Sequence, residues 1–184
     1  MHDKSMFLLR QSRIVPAILW LGSTPALAMD LKSTDVAQGT SFPVNALCAR
    51  YGGGDVSPAL SWSGVPSNAQ SLALTVFDPD AGSDGWWHWV VVDIPAKTTA
   101  LAQGVGTGKL PDGARHLENS NGNAGYHGPC PPAGSGVHHY QITLWALGEK
   151  PALEANVRPA DAGAYLEKHA IAKARLTPVY LKEK

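Results

Sequence analysis

Three short segments of the chain hold most of the side chains that could do chemistry. The first is Asp-Pro-Asp-Ala, which begins at Asp78, and the second is Trp-Trp-His-Trp, which places His88 among three tryptophans. The third begins with Gly-Tyr-His-Gly-Pro-Cys-Pro-Pro at 125–132 and leads to His138 and Tyr140. Imidazole and phenol groups can donate hydrogen bonds to an anion, and a nearby carboxylate favours the charged form of an imidazole. These three segments therefore hold the candidate residues for chemistry in this sequence.

The elements that must position these side chains are short and apolar. Residues 71–77, 86–94 and 140–147 are rich in β-branched and aromatic residues and are bounded by glycine and proline, which is typical of strands. In the second strand, strict alternation would place His88, Val90 and Val92 on one face and Trp89 and Val91 on the other. Both faces are then apolar, which predicts a strand inside a sandwich.

A helix is predicted near the C-terminus. Pro159 can occupy its first turn, and apolar residues recur at helical spacing through Arg175, before Pro178 ends it. The strands mostly lack helical patterns between them. The sequence therefore predicts a mainly β fold, an antiparallel two-sheet β-sandwich with peripheral helices.

The first 28 residues have the features of a signal peptide. Three basic residues precede an apolar stretch at 14–21, and Ala26 and Ala28 fit a cleavage site. The stretch is short for a membrane span, although an uncleaved anchor is the alternative. We expect a single domain over 29–184, located in the periplasm or secreted.

Charge and cysteine content narrow the function classes further. Removal of residues 1–28 leaves a formal charge of −2, which excludes the strongly basic character usual in nucleic-acid binders. Cys48 and Cys130 are the only cysteines. They form either a disulfide, as an oxidising compartment favours, or two buried thiols.

The three segments, in this order, resemble the phosphatidylethanolamine-binding or Raf-kinase-inhibitor-like family, and its bacterial branch in particular. Cys48 and the segment Ser-Pro-Ala-Leu-Ser-Trp at 57–62 fit the early part of that branch, and the C-terminal region fits its tail. The resemblance covers most of the chain after residue 28. It implies a pocket for a phosphate-like anion or a phosphorylated head group, no cofactor or metal, and a protein partner such as a kinase or protease that the protein would inhibit.

The resemblance also implies roles for individual residues. Asp78 and His88 would form the floor of the pocket, and an Asp78 carboxylate near His88 would favour the imidazolium. His138 and Tyr140 would lie beside them, on the same side of their strand because alternate side chains share a face. The backbone at Gly128 and Pro129 would form the rim, and Trp86 would line the pocket. Because no lysine or arginine is required, we expect modest, pH-dependent affinity.

Other interpretations of the same residues stay open. Asp78 could only fix a turn, and His88 could be a core histidine with satisfied hydrogen bonds. His116 and His127 are predicted to face solvent in loops. An enzyme is the alternative function: Asp78, His88 and His138 could form a two-histidine, one-carboxylate metal site or could act in acid–base hydrolysis. The sequence contains no Gly-x-Ser-x-Gly pattern that would favour it.

Overall fold

The structure is a computed structural model that describes residues 28–184; the predicted signal peptide, apart from Ala28, lies outside the described residues. In chain order the elements are β1 (Asp30–Ser33), β2 (Leu60–Ser63), β3 (Ser71–Asp78), β4 (Trp86–Pro95), β5 (Ala100–Leu101), β6 (Arg115–His116), β7 (Val137–His139), β8 (Gln141–Leu147), α1 (Pro159–His169), β9 (Ala170–Leu176) and β10 (Val179–Leu181). A five-stranded antiparallel sheet has the order β6-β4-β3-β8-β9, a three-stranded sheet has the order β1-β2-β5, and β7 pairs with β10. Two 3-10 turns, Val44–Ala46 and Ala49–Tyr51, precede β2.

The core has two parts because the central strands bury side chains on both faces. Leu72, Leu74 and Val76 of β3 pack with residues of β1 and β2 between the two sheets. Ala73 of β3 faces the other way, into a smaller cluster that includes Leu166 of α1. Each fully buried aliphatic side chain contributes about 1.5–3 kcal/mol. The predicted mainly β sandwich with peripheral helices is thus confirmed, with α1 on the outer face of the larger sheet.

Strand β4 departs from the predicted alternation. Val76 pairs with Trp89 and Phe77 pairs with Trp87, so the ladder skips His88 and contains a bulge there. A bulge adds one residue to one strand and shifts the side chains beyond it to the opposite faces. Trp87 consequently packs in the cluster below α1 that also contains Val90, whereas Trp89 faces the space between the sheets. The prediction that His88 shares a face with Val90 and Val92 was wrong for this reason.

The predicted C-terminal helix is shorter than the sequence pattern indicated. Helix α1 ends at His169, and residues 170–176 form β9, which pairs antiparallel with β8. Ala172 and Leu176 are four residues apart, a spacing that fits one helical turn and also fits one face of a strand. Exposure alternates along β9, with Ala174 and Leu176 buried and Lys173 and Arg175 exposed, which is the two-residue period of a strand at the edge of a sheet.

The two cysteines form a disulfide. Cys48 and Cys130 have their Sγ atoms 2.04 Å apart and are separated by 82 positions in sequence. A cross-link over a loop of this length stabilises the fold by about 4 kcal/mol in the chain-entropy estimate. Within residues 28–184, none of the helices has the length and apolar character needed to cross a membrane.

Candidate functional site

Five of the seven predicted site residues line one cavity of about 510 Å³. They come from the end of β3, the beginning of β4 and the segment around β7. These parts meet where the central strands of the larger sheet end. The bulge in β4 lies near the beginning of that strand, and His88 is the residue that the ladder skips. These five residues are Asp78, Trp86, His88, His138 and Tyr140.

Gly128 and Pro129 have a different place from the predicted rim. The Gly128 amide donates to Asp55 Oδ1 at 2.7 Å, and the Pro129 carbonyl accepts from the Cys48 amide at 3.3 Å. A Cβ at Gly128 would lie 2.3 Å from the Ala46 carbonyl oxygen, so glycine is needed here for backbone packing. The wall of the cavity is formed instead by the next residues, Cys130-Pro131-Pro132.

Asp78 and His138 form a buried pair at the base of the cavity. Asp78 Oδ2 lies 2.7 Å from His138 Nδ1, and Asp78 Oδ1 accepts from the Asp80 amide at 2.9 Å. Burial raises the pKa of Asp78, and the hydrogen bond to His138 opposes that rise. Asp78 therefore both fixes the turn after β3, as the alternative interpretation proposed, and orients an imidazole. The Nε2 atom of that imidazole lies 2.9 Å from Ser135 Oγ.

His88 is a neutral histidine in this structure. Its Nδ1 lies 2.8 Å from the His127 carbonyl oxygen, so Nδ1 carries the proton and donates it. Burial lowers the pKa of His88 to about 4. The prediction that Asp78 would favour a His88 imidazolium was wrong, because the carboxylate is bonded to His138. Neutral His88 offers the lone pair of Nε2 as an acceptor.

Tyr140 has a buried hydroxyl for which the described part of the chain supplies no hydrogen-bond partner. Its ring packs edge-on against His88 and Phe42, with centroids 5.1 and 5.2 Å away. Burial and the nearby Asp78 raise the pKa of Tyr140, so the phenol stays protonated and remains a donor. A hydroxyl beside a cavity that lacks a partner within residues 28–184 is available to donate a hydrogen bond to a molecule in that cavity. His139, as alternation predicted, is exposed on the opposite side.

Several residues of the cavity were not predicted from the sequence. Arg50 lines it, so a cation is present where the sequence analysis required none. His127 also lines it and has Nδ1 3.3 Å from Asp55 Oδ1, which corrects its prediction as a solvent-facing residue. His116 is likewise half-buried, and its Nδ1 accepts from Trp89 Nε1 at 3.0 Å. The signal that could have located Arg50 is its place two residues after Cys48, whose disulfide partner lies in the cavity wall.

Asp80, an exposed residue that lines the cavity at its mouth, pairs with His139, which does not line the cavity. Asp80 Oδ2 accepts from the His139 amide at 2.8 Å and lies 2.9 Å from His139 Nδ1. Both side chains are well exposed. Burial would raise the pKa of Asp80, but its hydrogen bonds with His139 outweigh this and lower the pKa, so the mouth has a carboxylate.

The metal site considered as an alternative is not assembled among residues 28–184, where no three histidine, cysteine, aspartate or glutamate side chains group together as ligands. Asp78 and His138 are hydrogen-bonded to each other, and His88 Nδ1 is hydrogen-bonded to the His127 carbonyl oxygen. These contacts occupy three of the ring and carboxylate atoms that a two-histidine, one-carboxylate site would use.

Comparison with known proteins identifies the family to which the chain belongs. The family model for phosphatidylethanolamine-binding protein matches residues 32–181. The UPF0098 protein YbcL of Escherichia coli is 43% identical over 165 residues, which cover 86% of this chain and 90% of YbcL. The Mycobacterium tuberculosis protein LppC, whose name describes it as a lipoprotein, is 37% identical over 161 residues, covering 86% of this chain and 76% of LppC. The crystal structure of Escherichia coli YbcL superposes with a TM-score of 0.81 at 41% identity, covering 85% of this chain and all of that one. A match over most of the chain to the family model and to a bacterial relative of this similarity places the protein in the phosphatidylethanolamine-binding protein family.

Proposed function

We propose that the cavity binds a small phosphate-like anion or a phosphorylated head group. The observation that carries the proposal is the buried Tyr140 hydroxyl, which lines the cavity and lacks a partner within residues 28–184. A phosphate oxygen is a strong acceptor and would satisfy this donor. The exposed Arg50 adds a positive charge in the same cavity, where its guanidinium can reach a phosphate.

The protonation states of the cavity favour the monoanion of a phosphate monoester. Neutral His88 has a free lone pair on Nε2, and a P–OH group can donate to it. A dianion offers no such donor and would lie close to the Asp78 carboxylate. Since the second pKa of a phosphate monoester is about 6, the favoured monoanion is the main species only at mildly acidic pH. Binding should therefore be tighter at pH 5.5 than at pH 7.5.

The test is calorimetric titration with phosphorylethanolamine and with inorganic phosphate at these two pH values. Saturable binding that is stronger at pH 5.5, and weaker in His138→Ala, is the expected result. Asp84→Asn is a control, because Asp84 is exposed and does not line the cavity. Absence of binding by the parent protein at both pH values would overturn the anion proposal.

Comparison of phosphorylethanolamine with methyl phosphate separates recognition of the phosphate from recognition of the ammonium group. The Asp80 carboxylate at the mouth can pair with an ammonium group, which methyl phosphate lacks. Asp80→Asn should weaken binding of phosphorylethanolamine and leave methyl phosphate unaffected. Equal effects on both ligands would limit recognition to the phosphate.

We also propose export to the periplasm or the exterior. Residues 1–28 have the pattern of a cleaved signal peptide, and the disulfide between Cys48 and Cys130 suits an oxidising compartment. Fractionation of cells that express the full chain, with mass measurement of the product, tests this proposal. A product that begins at Met29 in the periplasmic fraction is expected, and a full-length product in the cytoplasm would contradict it. Inhibition of a protein partner, which the family resemblance implies, stays a prediction that crosslinking in the cell envelope tests.

A further inference from the structure

We propose that Ser135 is a nucleophile that His138 and Asp78 activate toward carboxylic esters small enough to enter the cavity. The three side chains form one continuous hydrogen-bonded chain. Ser135 Oγ lies 2.9 Å from His138 Nε2, and His138 Nδ1 lies 2.7 Å from Asp78 Oδ2. This is the geometry that activation of a serine by a histidine base requires, with a carboxylate holding the ring. The inference goes beyond anion binding but uses the same cavity.

The burial of the three groups fits their roles. The side chains of Asp78 and His138 are only 3% and 4% exposed, so the imidazole is held in one orientation. The second oxygen of Asp78 accepts the Asp80 amide, which fixes the carboxylate as well. Ser135, by contrast, is exposed and lines the cavity, so a ligand can reach its hydroxyl. Stabilisation of the fold alone would not require an exposed hydroxyl at the end of this hydrogen-bonded chain.

The backbone presents Ser135 on a tight turn. Gly134 and Gly136 flank it with φ of 77° and 97°, a conformation that glycine adopts without strain. The Gly134 amide donates to the Lys182 carbonyl at 2.9 Å, which ties the turn to the end of the chain. Ser135 Oγ also lies 2.8 Å from the Pro132 carbonyl oxygen. The hydroxyl hydrogen thus has two acceptors, and rotation toward His138 Nε2 gives the reactive arrangement.

The chemistry balances with an ester and water alone. Ser135 Oγ bonds to the ester carbonyl carbon as its proton passes to His138 Nε2, and the tetrahedral species then expels the alkoxide, which takes that proton and leaves as an alcohol. Water, deprotonated by His138, then attacks the acyl-serine. The bond to Oγ breaks, Oγ takes the proton back from His138, and the carboxylic acid leaves. The protonated Tyr140 hydroxyl lines the same cavity and is available to donate to the developing oxyanion. Arg50 favours esters that also have an anionic group.

A fluorophosphonate probe tests the proposal directly. Attack by Ser135 Oγ on its phosphorus expels fluoride and leaves a stable adduct, which intact-mass measurement counts and peptide mapping locates. We expect one adduct, on Ser135, with none in Ser135→Ala and labelling slower by about 10²-fold or more in Asp78→Asn, where the ring would take the wrong tautomer. Ser83→Ala is the matched control, since Ser83 is exposed and lies outside the cavity. Hydrolysis of p-nitrophenyl acetate should be equal in the parent protein and Ser83→Ala, slower in Asp78→Asn and absent in Ser135→Ala.

The outcomes separate this inference from the anion proposal. Absence of an adduct on Ser135 in a parent protein that binds phosphorylethanolamine would overturn the nucleophile and keep the binding site. An adduct on Ser135 in a parent protein that does not bind phosphorylethanolamine would support the nucleophile and overturn the anion site. If Ser135→Ala weakens phosphorylethanolamine binding and the parent protein is not labelled, Ser135 only positions the ligand, and the inference is wrong. A thermal melt of Ser135→Ala verifies that the variant is folded.

Discussion

Asp78 Oδ2 lies 2.7 Å from His138 Nδ1, and both side chains are almost completely buried. The contact joins the end of β3 to β7, two strands that are not neighbours in any sheet. It also determines which nitrogen of His138 is protonated, since an ionised carboxylate can only accept. Nε2 of His138 is then the nitrogen that contacts Ser135 Oγ in the cavity, at 2.9 Å. The pair is therefore the structural feature on which both the anion site and the reactivity of Ser135 depend.

Asp78→Asn should increase thermal stability at neutral pH. A raised pKa means that the folded state holds the Asp78 proton more tightly than the unfolded state does. The stabilisation that comes from this protonation is complete at a pH below the pKa of Asp78 in the unfolded state. It is lost as the pH rises through the pKa of Asp78 in the folded state. Asparagine resembles the protonated acid at every pH, so its melting temperature should exceed that of the parent protein at pH 7.5. The difference should shrink on acidification; a lower melting temperature at pH 7.5 would contradict the prediction.

The two buried tyrosines of the core offer a matched pair of substitutions. Tyr140→Phe removes a hydroxyl that has no partner in the described region, whereas Tyr126→Phe removes one that donates to the Ala46 carbonyl at 3.1 Å. Tyr140→Phe should stabilise the fold by about 1 kcal/mol, or about 2–4 °C, and Tyr126→Phe should destabilise it by a similar amount. Thermal melts measure both effects.

The same pair of variants separates binding from stability. If the Tyr140 hydroxyl donates to a bound phosphate, Tyr140→Phe should weaken phosphorylethanolamine binding by about tenfold, the equivalent of one hydrogen bond. Tyr126→Phe should leave the affinity unchanged, because Tyr126 does not line the cavity. Equal affinities in the parent protein and Tyr140→Phe would remove the main support for the anion site.

The strands could be predicted because their signals are local, whereas the grouping of the site residues was expected from the family resemblance. Runs of β-branched and aromatic residues marked β3, β4 and β8, and two-residue alternation placed His138 and Tyr140 together. The errors arose where a local pattern fits two structures. Ala172 and Leu176 satisfy the spacing of a helix and of a strand, and only pairing with β8 decides between them. The bulge at His88 is likewise set by pairing with β3, which no local pattern reveals.

The electrostatic arrangement could not be predicted because it depends on distances across the fold. Sequence patterns gave no means of deciding whether Asp78 pairs with His88 or with His138. The structure has Asp78 bonded to His138, and His88 bonded to a backbone carbonyl. Arg50 was missed for the same reason, because its connection to the cavity depends on the disulfide between Cys48 and the distant Cys130.

His88 should make the protein sensitive to acid. Its pKa is lowered from 6.5 to about 4 by burial, so its neutral form stabilises the fold above pH 6.5, and this stabilisation is lost as the pH falls toward 4. His88→Asn keeps an N–H donor for the His127 carbonyl and cannot titrate. The melting temperature of this variant should fall less than that of the parent protein between pH 7 and pH 4.5. An equal fall in melting temperature for this variant and the parent protein would contradict the prediction.

Removal of the disulfide should affect both stability and binding. Cys48 precedes the turn that contains Arg50, and Cys130 precedes Pro131 and Pro132 in the cavity wall, so the cross-link joins two segments that line the site. Replacement of both cysteines by serine should lower the free energy of unfolding by about 4 kcal/mol, which denaturant titration measures. Where the variant is still folded, it should bind phosphorylethanolamine severalfold more weakly, because the turn of Arg50 is no longer cross-linked to the Cys130-Pro131-Pro132 segment. Dithiothreitol should reproduce both effects in the parent protein and change neither property of the double serine variant. Unchanged affinity in the folded variant would mean that the turn around Arg50 holds its position without the cross-link.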